Sequence, residues 1–331
     1  MTMRYRQCLI ILLTLPIPGI VLGGLGLVEA NDAPARDTAA GWVKCPKNPV
    51  LGGDLGTCFD VSVLKDGDTF RMWFSWRPKK SIALVESHNG TEWTKPLIVI
   101  GPNDRTAWER DLNRPVVIKR GDLYQMWYTG QADGKSSIGF ATSTDGKEWK
   151  RQSDRPVVTA ERPWEKVAVM CPHVIFDDTT MQYRMWYSGG EQFEPNAIGH
   201  ATSQDGLTWN KHAENPIFRP DRHLAWEKDR VTACQVLPVD DGYLMFYIGF
   251  RDQNHAQIGV ARSQDGVVDW KRHPANPIIR PGVEQWDHDA VYKPYAIYDE
   301  MSKQWLLWYN GRRGGVEQIG LAFHDGKDLG F

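Results

Sequence analysis

The 331-residue chain is short of three things: paired cysteine motifs, clustered positive charge and amphipathic helix. Its 5 cysteines include no CxxC and no neighbouring histidine cluster, so no structural metal is expected, and nothing suggests a cofactor. Its 39 basic and 41 acidic residues are interspersed and give a formal charge of −2. Nucleic acid is therefore not an expected partner, because that binding needs clustered Lys and Arg to displace counterions from phosphates. No segment shows a sustained 3.6-residue apolar period, which points to an all-β class.

Long apolar runs are also missing, apart from Cys8 to Val28. Arg4 and Arg6 precede that run and Val28-Glu29-Ala30 follows it, the pattern of a secretory signal peptide over residues 1–30. Pro16, Pro18 and Gly19 argue against a membrane anchor, and Cys8 lies too early to be a lipid-modified cysteine. The expectation is a secreted or periplasmic protein with no membrane attachment after cleavage. Removing Arg4, Arg6 and Glu29 takes the 39 basic and 41 acidic residues to 37 and 40, a charge of −3. Residues 31–40 are expected to be a flexible segment and 41–331 the folded domain. Cys45, Cys58, Cys171 and Cys234 remain, an even count compatible with two disulfides in an oxidising compartment. Oligomeric state is left open.

What the chain does contain is a repeat of roughly 55–60 residues, a period typical of propellers and related arrays. An aromatic strand recurs as FRMWFSW (Phe70–Trp76), YQMWYTG (Tyr124–Gly130), YRMWYSG (Tyr183–Gly189), YLMFYIG (Tyr243–Gly249) and WLLWYNG (Trp305–Gly311). After the first four come IALVESHNGTEW, IGFATSTDGKEW, IGHATSQDGLTW and IGVARSQDGVVDW, where Asn-Gly or Asp-Gly marks a tight hairpin turn. A short fourth strand then runs from the Trp toward NP or RP. The predicted fold is a five-bladed β-propeller of four-stranded antiparallel blades.

The last copy stops at Phe331 before its fourth strand, whereas GWVKCPKNPV at residues 41–50 resembles a fourth strand without a blade. Pairing the two would close the ring and remove two exposed sheet edges.

Residues that keep the repeat are expected to be structural. The S-x-D-G-x-x-W turns, similar to a shortened sialidase Asp-box, lie away from the pocket and fit side-chain bonding within the turn. Trp108-Glu109, Trp164-Glu165, Trp226-Glu227 and Trp286-Asp287 recur before four inner strands and fit loop capping better than catalysis. Residues that break the repeat are the better site candidates. Aligned on Pro115, Pro172 and Pro294, one inner-strand position reads Asp60, Arg114, Cys171, Ala233 and Lys293. Nearby lie Asp111, Asp229, Arg230, His288 and Asp289, and the other pocket-side loops carry Trp76, Arg77, Glu191, Arg251 and Arg312. Such a mixture of carboxylates, guanidinium groups and aromatics suits a ligand rich in hydroxyls, and carbohydrate is the expected substrate.

DVSVLKDGDTFRMWFS, PHVIFDD with YRMWYSGG, and the recurring IGxAxSxDGxxW with NP resemble the five-bladed glycoside hydrolases of families 43, 32, 117 and 130. The resemblance spans nearly the whole chain after residue 40 without matching one family closely. It implies acid/base cleavage of a glycosidic bond by carboxylates on different blades. Asp60 matches the aspartate that family 43 uses as general base. The family's third-blade Glu, two residues before Pro-His, is replaced by Met170 in Met170-Cys171-Pro172-His173. Arg114 stands where its second-blade aspartate belongs, with Asp111 three residues earlier.

The resemblance therefore implies either a relocated acid, for which Asp229, Asp289, Glu191 and His288 are the candidates, or a loss of hydrolysis; Asp60 and the displaced Asp111 are the other catalytic candidates. Asp229 and Asp289 hold matching places in neighbouring blades, as expected for a shared structural role. Trp76, Arg77, Arg114, His173, Arg230, Arg251, His288, Lys293 and Arg312 are the expected substrate-binding residues. Arg114, Arg230, Lys293 and Arg312 could bind an anionic sugar, or a phosphate as in family 130 phosphorylases. An exported, exo-acting glycoside hydrolase is the expectation, with a phosphorylase or a non-catalytic carbohydrate-binding propeller as alternatives.

Overall fold

A computed structural model describes residues 37–193 and 195–331. The signal-peptide expectation for residues 1–30 lies outside the described residues, as do 31–36 of the expected flexible segment. Residues 37–40 are tied to the segment after the strand Lys271–Arg272, with an isolated bridge between Thr38 and Ile279 and Ala39 N–H donating to the Ile278 carbonyl at 2.9 Å.

Twenty strands and three short 3-10 turns, with no α-helix among the described residues, make up the architecture. β1 (Val43–Lys44) comes first. β2 (Cys58–Asp66), β3 (Thr69–Trp76), β4 (Ser81–Ser87) and β5 (Leu97–Ile100) form one antiparallel sheet. β6 (Asp111–Arg120), β7 (Leu123–Ala132), β8 (Lys135–Ser143) and β9 (Lys150–Arg151) form a second set, and β10 (Ala168–Asp177), β11 (Gln182–Gly190), β12 (Pro195–Ser203) and β13 (Asn210–Lys211) a third. These two sets join as one eight-stranded sheet through a single parallel pairing, Ala168 with Ser136. β14 (Arg230–Val239), β15 (Gly242–Asp252), β16 (His255–Ser263) and β17 (Lys271–Arg272) make the next sheet. The last sheet has the order β1, β20 (Val316–Asp325), β19 (Gln304–Arg313), β18 (Ala290–Asp299).

The stray N-terminal strand thus completes the C-terminal sheet, with Val43 opposite Phe323 and Lys44 opposite Ala322. Its register is fixed by more than the ladder. Asn48 donates to the Leu321 carbonyl at 2.9 Å, and Leu321 N–H returns to Asn48 Oδ1 at 2.8 Å. Asn215 and Asn276 make the same side-chain bond in their own sheets, to the carbonyls of His200 and Val260.

Adjacent sets are stitched by the aromatic strands. The fully buried Trp73, Trp127 and Trp186 donate their indole N–H groups to the carbonyls of Gly146, Gly206 and Gly266, each in the turn of the following set. Trp308, on β19, donates to Gly90 in the first sheet at 3.0 Å, so the series returns to its start as a propeller does. The receiving turns are those with the Ser-x-Asp-Gly pattern, or Ser-x-Asn-Gly at Gly90. Ser143 Oγ accepts from Gly146 N–H, while Asp145 Oδ1 accepts from the N–H groups of Lys147 and Glu148. Those backbone donors pull the Asp145 carboxyl down to about 2.

The Trp-acid dipeptides explain another part of the pattern. Glu109, Glu165, Glu227 and Asp287 have no exposed surface. Each accepts from the tyrosine of its aromatic strand, Tyr128, Tyr187, Tyr247 or Tyr309. Each also pairs with a cation on its outermost strand: Arg151 at 3.0 Å, Lys211 at 2.8 Å, Arg272 at 2.6 Å and Lys44 at 2.7 Å. The tryptophan beside each acid lies flat over two glycines; a Cβ on Gly130 or Gly139 would come within 2.4 or 2.5 Å of Trp108. The first sheet has no Trp-acid pair, and there the corresponding residues are Trp76 and Ala83.

Candidate active site

The inner strands β2, β6, β10, β14 and β18 each carry one β-bulge, at Asp60-Val61, Arg114-Pro115, Cys171-Pro172, Ala233-Cys234 and Lys293-Pro294. The repeat-breaking position is the first residue of every bulge. All five have positive φ: 53° at Asp60, 54° at Arg114, 53° at Cys171, 40° at Ala233 and 55° at Lys293. None is glycine, so each position carries a conformational cost of about 1–2 kcal/mol that its surroundings offset.

Part of the offset comes from the preceding set. Asn310 Oδ1 accepts from Asp60 N–H, Ser75 Oγ from Arg114 N–H, Thr129 Oγ1 from Cys171 N–H and Ser188 Oγ from Ala233 N–H, at 2.8–3.1 Å. These acceptors share one position on the aromatic strand, which explains the small polar residue after Phe74, Tyr128, Tyr187 and Tyr309. Ile248 holds that place in the remaining copy. The bulge turns each first side chain into a common axial cavity, and all ten bulge residues line it.

That cavity has a volume of about 40 Å³. At roughly 10–15 Å³ per water position, it holds on the order of three waters. Asp60 is only 5% exposed; its Oδ2 lies 3.3 Å from Arg114 Nε and its Oδ1 3.9 Å from Lys293 Nζ. Asn310 Nδ2 reaches Oδ1 at 3.4 Å. Lys293 also donates to Cys171 Sγ at 2.8 Å.

His173 lines the cavity, but its Nε2 donates to the Val236 carbonyl at 2.8 Å. Complete burial brings its pKa down to about 4, so at neutral pH it is an uncharged tie between inner strands. Gln235 serves similarly, bonding both the N–H and carbonyl of Ala296.

The other sequence candidates lie outside this lining. Asp111 joins through Asn113, which donates to Asp111 at 3.3 Å and accepts from Arg114 at 2.6 Å. Asp229 pairs with Arg230 at 2.7 Å, Glu191 with Lys166 at 2.5 Å, and Asp289 with His288 at 3.1 Å. Arg251 pairs with Asp252, and Arg312 donates to the Asn254 carbonyl. The backbone N–H groups of Asp229 and Asp289 bond Phe250 and Arg312 in the same way, as their matching places imply. Trp76 anchors its indole N–H on the Leu55 carbonyl at 2.8 Å. The cysteine expectation needs correction: Cys45, Cys58, Cys171 and Cys234 are free buried thiols, so the permitted disulfides are not formed. Burial, helped by the charge of Glu317, pushes the Cys58 thiol up to about 12.

Glu317 is the acid that repeat-breaking logic at the bulge overlooks. It accepts from Tyr292 Oη and lies 3.4 Å from Arg77 Nη2, with its side chain 14% exposed. A signal was present. Two residues before the Ile of each third strand the copies read Lys80, Ser136, Asn196, Ala256 and Glu317.

No family model matches the chain. An uncharacterized protein of Mycobacterium tuberculosis is 29% identical over 278 residues, covering 78% of this chain and 88% of that protein. A 1,2-β-oligomannan phosphorylase of Thermoanaerobacter sp. is 26% identical over 230 residues, 67% of this chain and 71% of that one. Among solved structures, a thermostable family-43 glycoside hydrolase aligns with a TM-score of 0.67 at 17% identity, covering 83% of this chain and 91% of its own. A family 130 structure, described with glycoside hydrolases that target β-1,2-mannosidic linkages in Candida mannan, aligns at 0.69 with 14% identity, over 89% and 96%. The β-1,2-mannobiose phosphorylase of Listeria innocua aligns at 0.64 with 14% identity, over 86% and 96%. Solved structures similar to this chain in fold are thus glycoside hydrolases and phosphorylases of the propeller type, as the sequence resemblance implies.

Proposed function

We propose that this chain is an exported five-bladed propeller enzyme that hydrolyses a glycosidic bond at the axial cavity, with Asp60 as the carboxylate that activates water. The observation that carries the proposal is a buried carboxylate over a water-sized cavity at the meeting point of five inner-strand bulges. Its surroundings position rather than replace it: Arg114 and Lys293 flank the carboxylate, and Asn310 bonds both its backbone and its side chain. A hydrolase needs such a base together with a carboxylic acid for the leaving oxygen. Asp111, joined to the cavity lining through Asn113, and Glu317, paired with Arg77 on the seam between last and first sheets, are the two acids we propose for that role. A funnel at a propeller axis admits a chain end more easily than an interior bond, which supports exo-action. Residues 1–30 support export.

Phosphorolysis is the second reading, favoured by the two cations beside Asp60 and by the identity with an oligomannan phosphorylase. One screen separates the two. The protein is incubated with a glycan library with and without inorganic phosphate, and both new reducing ends and sugar 1-phosphates are measured. Hydrolysis predicts reducing ends without phosphate, lost in Asp60→Asn; a sugar 1-phosphate formed only with phosphate replaces it by the second reading. Turnover unchanged in Asp60→Asn moves the chemistry elsewhere.

A further inference from the structure

The β3–β4 connection carries Arg77, Lys79 and Lys80 with no acid between Trp76 and Ser81, and all three cations are exposed. It stands beside the axial cavity. The Arg77 N–H donates to the Thr57 carbonyl three residues before Asp60, and the Lys80 carbonyl accepts from Leu112 N–H, two residues before Arg114.

Within this loop Arg77 is held more firmly than a surface arginine. Its guanidinium lies 4.2 Å from the centre of the Phe59 ring, and Arg114 lies 5.7 Å from the same ring. Two guanidinium groups therefore flank one phenyl ring, and each pairs with a carboxylate: Arg114 with Asp60, Arg77 with Glu317. Arg114 is largely buried, with a side chain 10% exposed, whereas that of Arg77 is 48% exposed. Stacking and a single ion pair fix the plane of Arg77 while its remaining N–H donors stay available. A planar, oriented fork of this kind suits two oxygens of a carboxylate or sulfate. Trp76, tied to Leu55, places an aromatic face beside it.

From this arrangement we infer that the pocket takes a carbohydrate bearing an anionic substituent, a carboxylate or a sulfate, and that Arg77 receives that group at the mouth on the first sheet's side. The inference rests on the carbohydrate reading of the cavity. It shifts anion recognition to Arg77 and its basic loop on exposure: Arg114, Lys293 and Arg230 are largely buried beside Asp60 and Asp229 with side chains 10%, 10% and 15% exposed, and Arg312 donates to a backbone carbonyl, whereas the Arg77 side chain is 48% exposed. Lys79 and Lys80 add attraction that salt screens.

The test is binding, so it does not depend on turnover. Oligosaccharides ending in a uronate, oligosaccharides ending in a sulfated sugar, and their neutral counterparts are titrated against the protein, Arg77→Met and Arg77→Lys. The expected result is at least tenfold tighter binding of one charged class than of its neutral counterpart. Arg77→Met should reduce that preference to within twofold and Arg77→Lys should fall between, because it keeps the charge but loses the stacked fork. Which class is preferred tells uronate from sulfate. Equal affinity for charged and neutral glycans, an unchanged preference in Arg77→Met, or no binding of any charged glycan overturns the inference. A preference that survives while the library screen yields no cleavage would sink the hydrolase proposal alone.

Discussion

Lys44 Nζ lies 2.7 Å from Asp287 Oδ2 across 243 residues of chain, and this contact fastens the first strand to the last sheet. Arg151, Lys211 and Arg272 do the same for their own outermost strands, so Lys44 occupies a repeat position although it lies at the opposite end of the sequence. Asp287 is fully buried and Lys44 nearly so. Removing the cation leaves an uncompensated carboxylate in the interior.

Lys44→Met should therefore cost about 3 kcal/mol of unfolding free energy, the usual penalty for breaking one side of a buried ion pair. Combining it with Asp287→Asn should recover part of the loss. Urea denaturation followed by tryptophan fluorescence reads both; a single variant as stable as wild type would show that this contact does not hold the seam.

Gly139→Ala should destabilise by about 1–3 kcal/mol through overpacking. The added methyl would lie 2.5 Å from both Trp108 and Tyr128, two rigid aromatics held by Glu109 and the Asp154 carbonyl. Adding Trp108→Leu should relieve the part of the strain due to Trp108 and leave the part due to Tyr128. Thermal melts of the single and double variants provide the comparison, and additive losses would contradict steric conflict with Trp108.

Acid should weaken the fold through His173. Its folded pKa of about 4 lies below the ordinary 6.5, so the neutral ring's contribution is complete above pH 6.5 and is lost as pH falls through 4. The difference corresponds to about 3 kcal/mol. His173→Gln should flatten this part of the stability profile, measured by denaturation midpoints from pH 7 to 4. An equal slope in the variant would assign the acid sensitivity to other groups.

Asp60→Asn should reduce turnover by about 100-fold or more on any glycan the protein cleaves, the scale expected for loss of a general base. The change is nearly isosteric and keeps an oxygen facing Arg114, so near-UV circular dichroism should remain native. Residual activity above a tenth of wild type would remove Asp60 from the chemistry.

Much of this architecture was legible in the sequence because it repeats. The aromatic strands, the Asp-Gly turns and the orphan GWVKCPKNPV each state the same unit, and the mismatch between the two chain ends identified β1 as the partner of β20. The bulge residues were legible as positions where the copies disagree. Their positive φ was not, because of Asp60, Arg114, Cys171, Ala233 and Lys293 only aspartate favours that conformation; polar groups on the preceding aromatic strands help hold the first four there. The pairing of Glu317 with Arg77 was hidden for a related reason: it joins the last sheet to the first, across 240 residues of sequence. The cysteine count was misleading, since an even number permits bridges without supplying the backbone approach a disulfide requires.

The most direct test of the central claim is a crystal structure of Asp60→Asn soaked with a glycan recovered from the library screen. The account predicts a sugar above the five bulges, with its anomeric carbon facing residue 60 across the space of one water, its scissile oxygen on the opposite side, and its reducing or non-reducing end buried toward Arg114 and Lys293. A glycan bound on the outer strands, with the axial cavity holding only water, would contradict it.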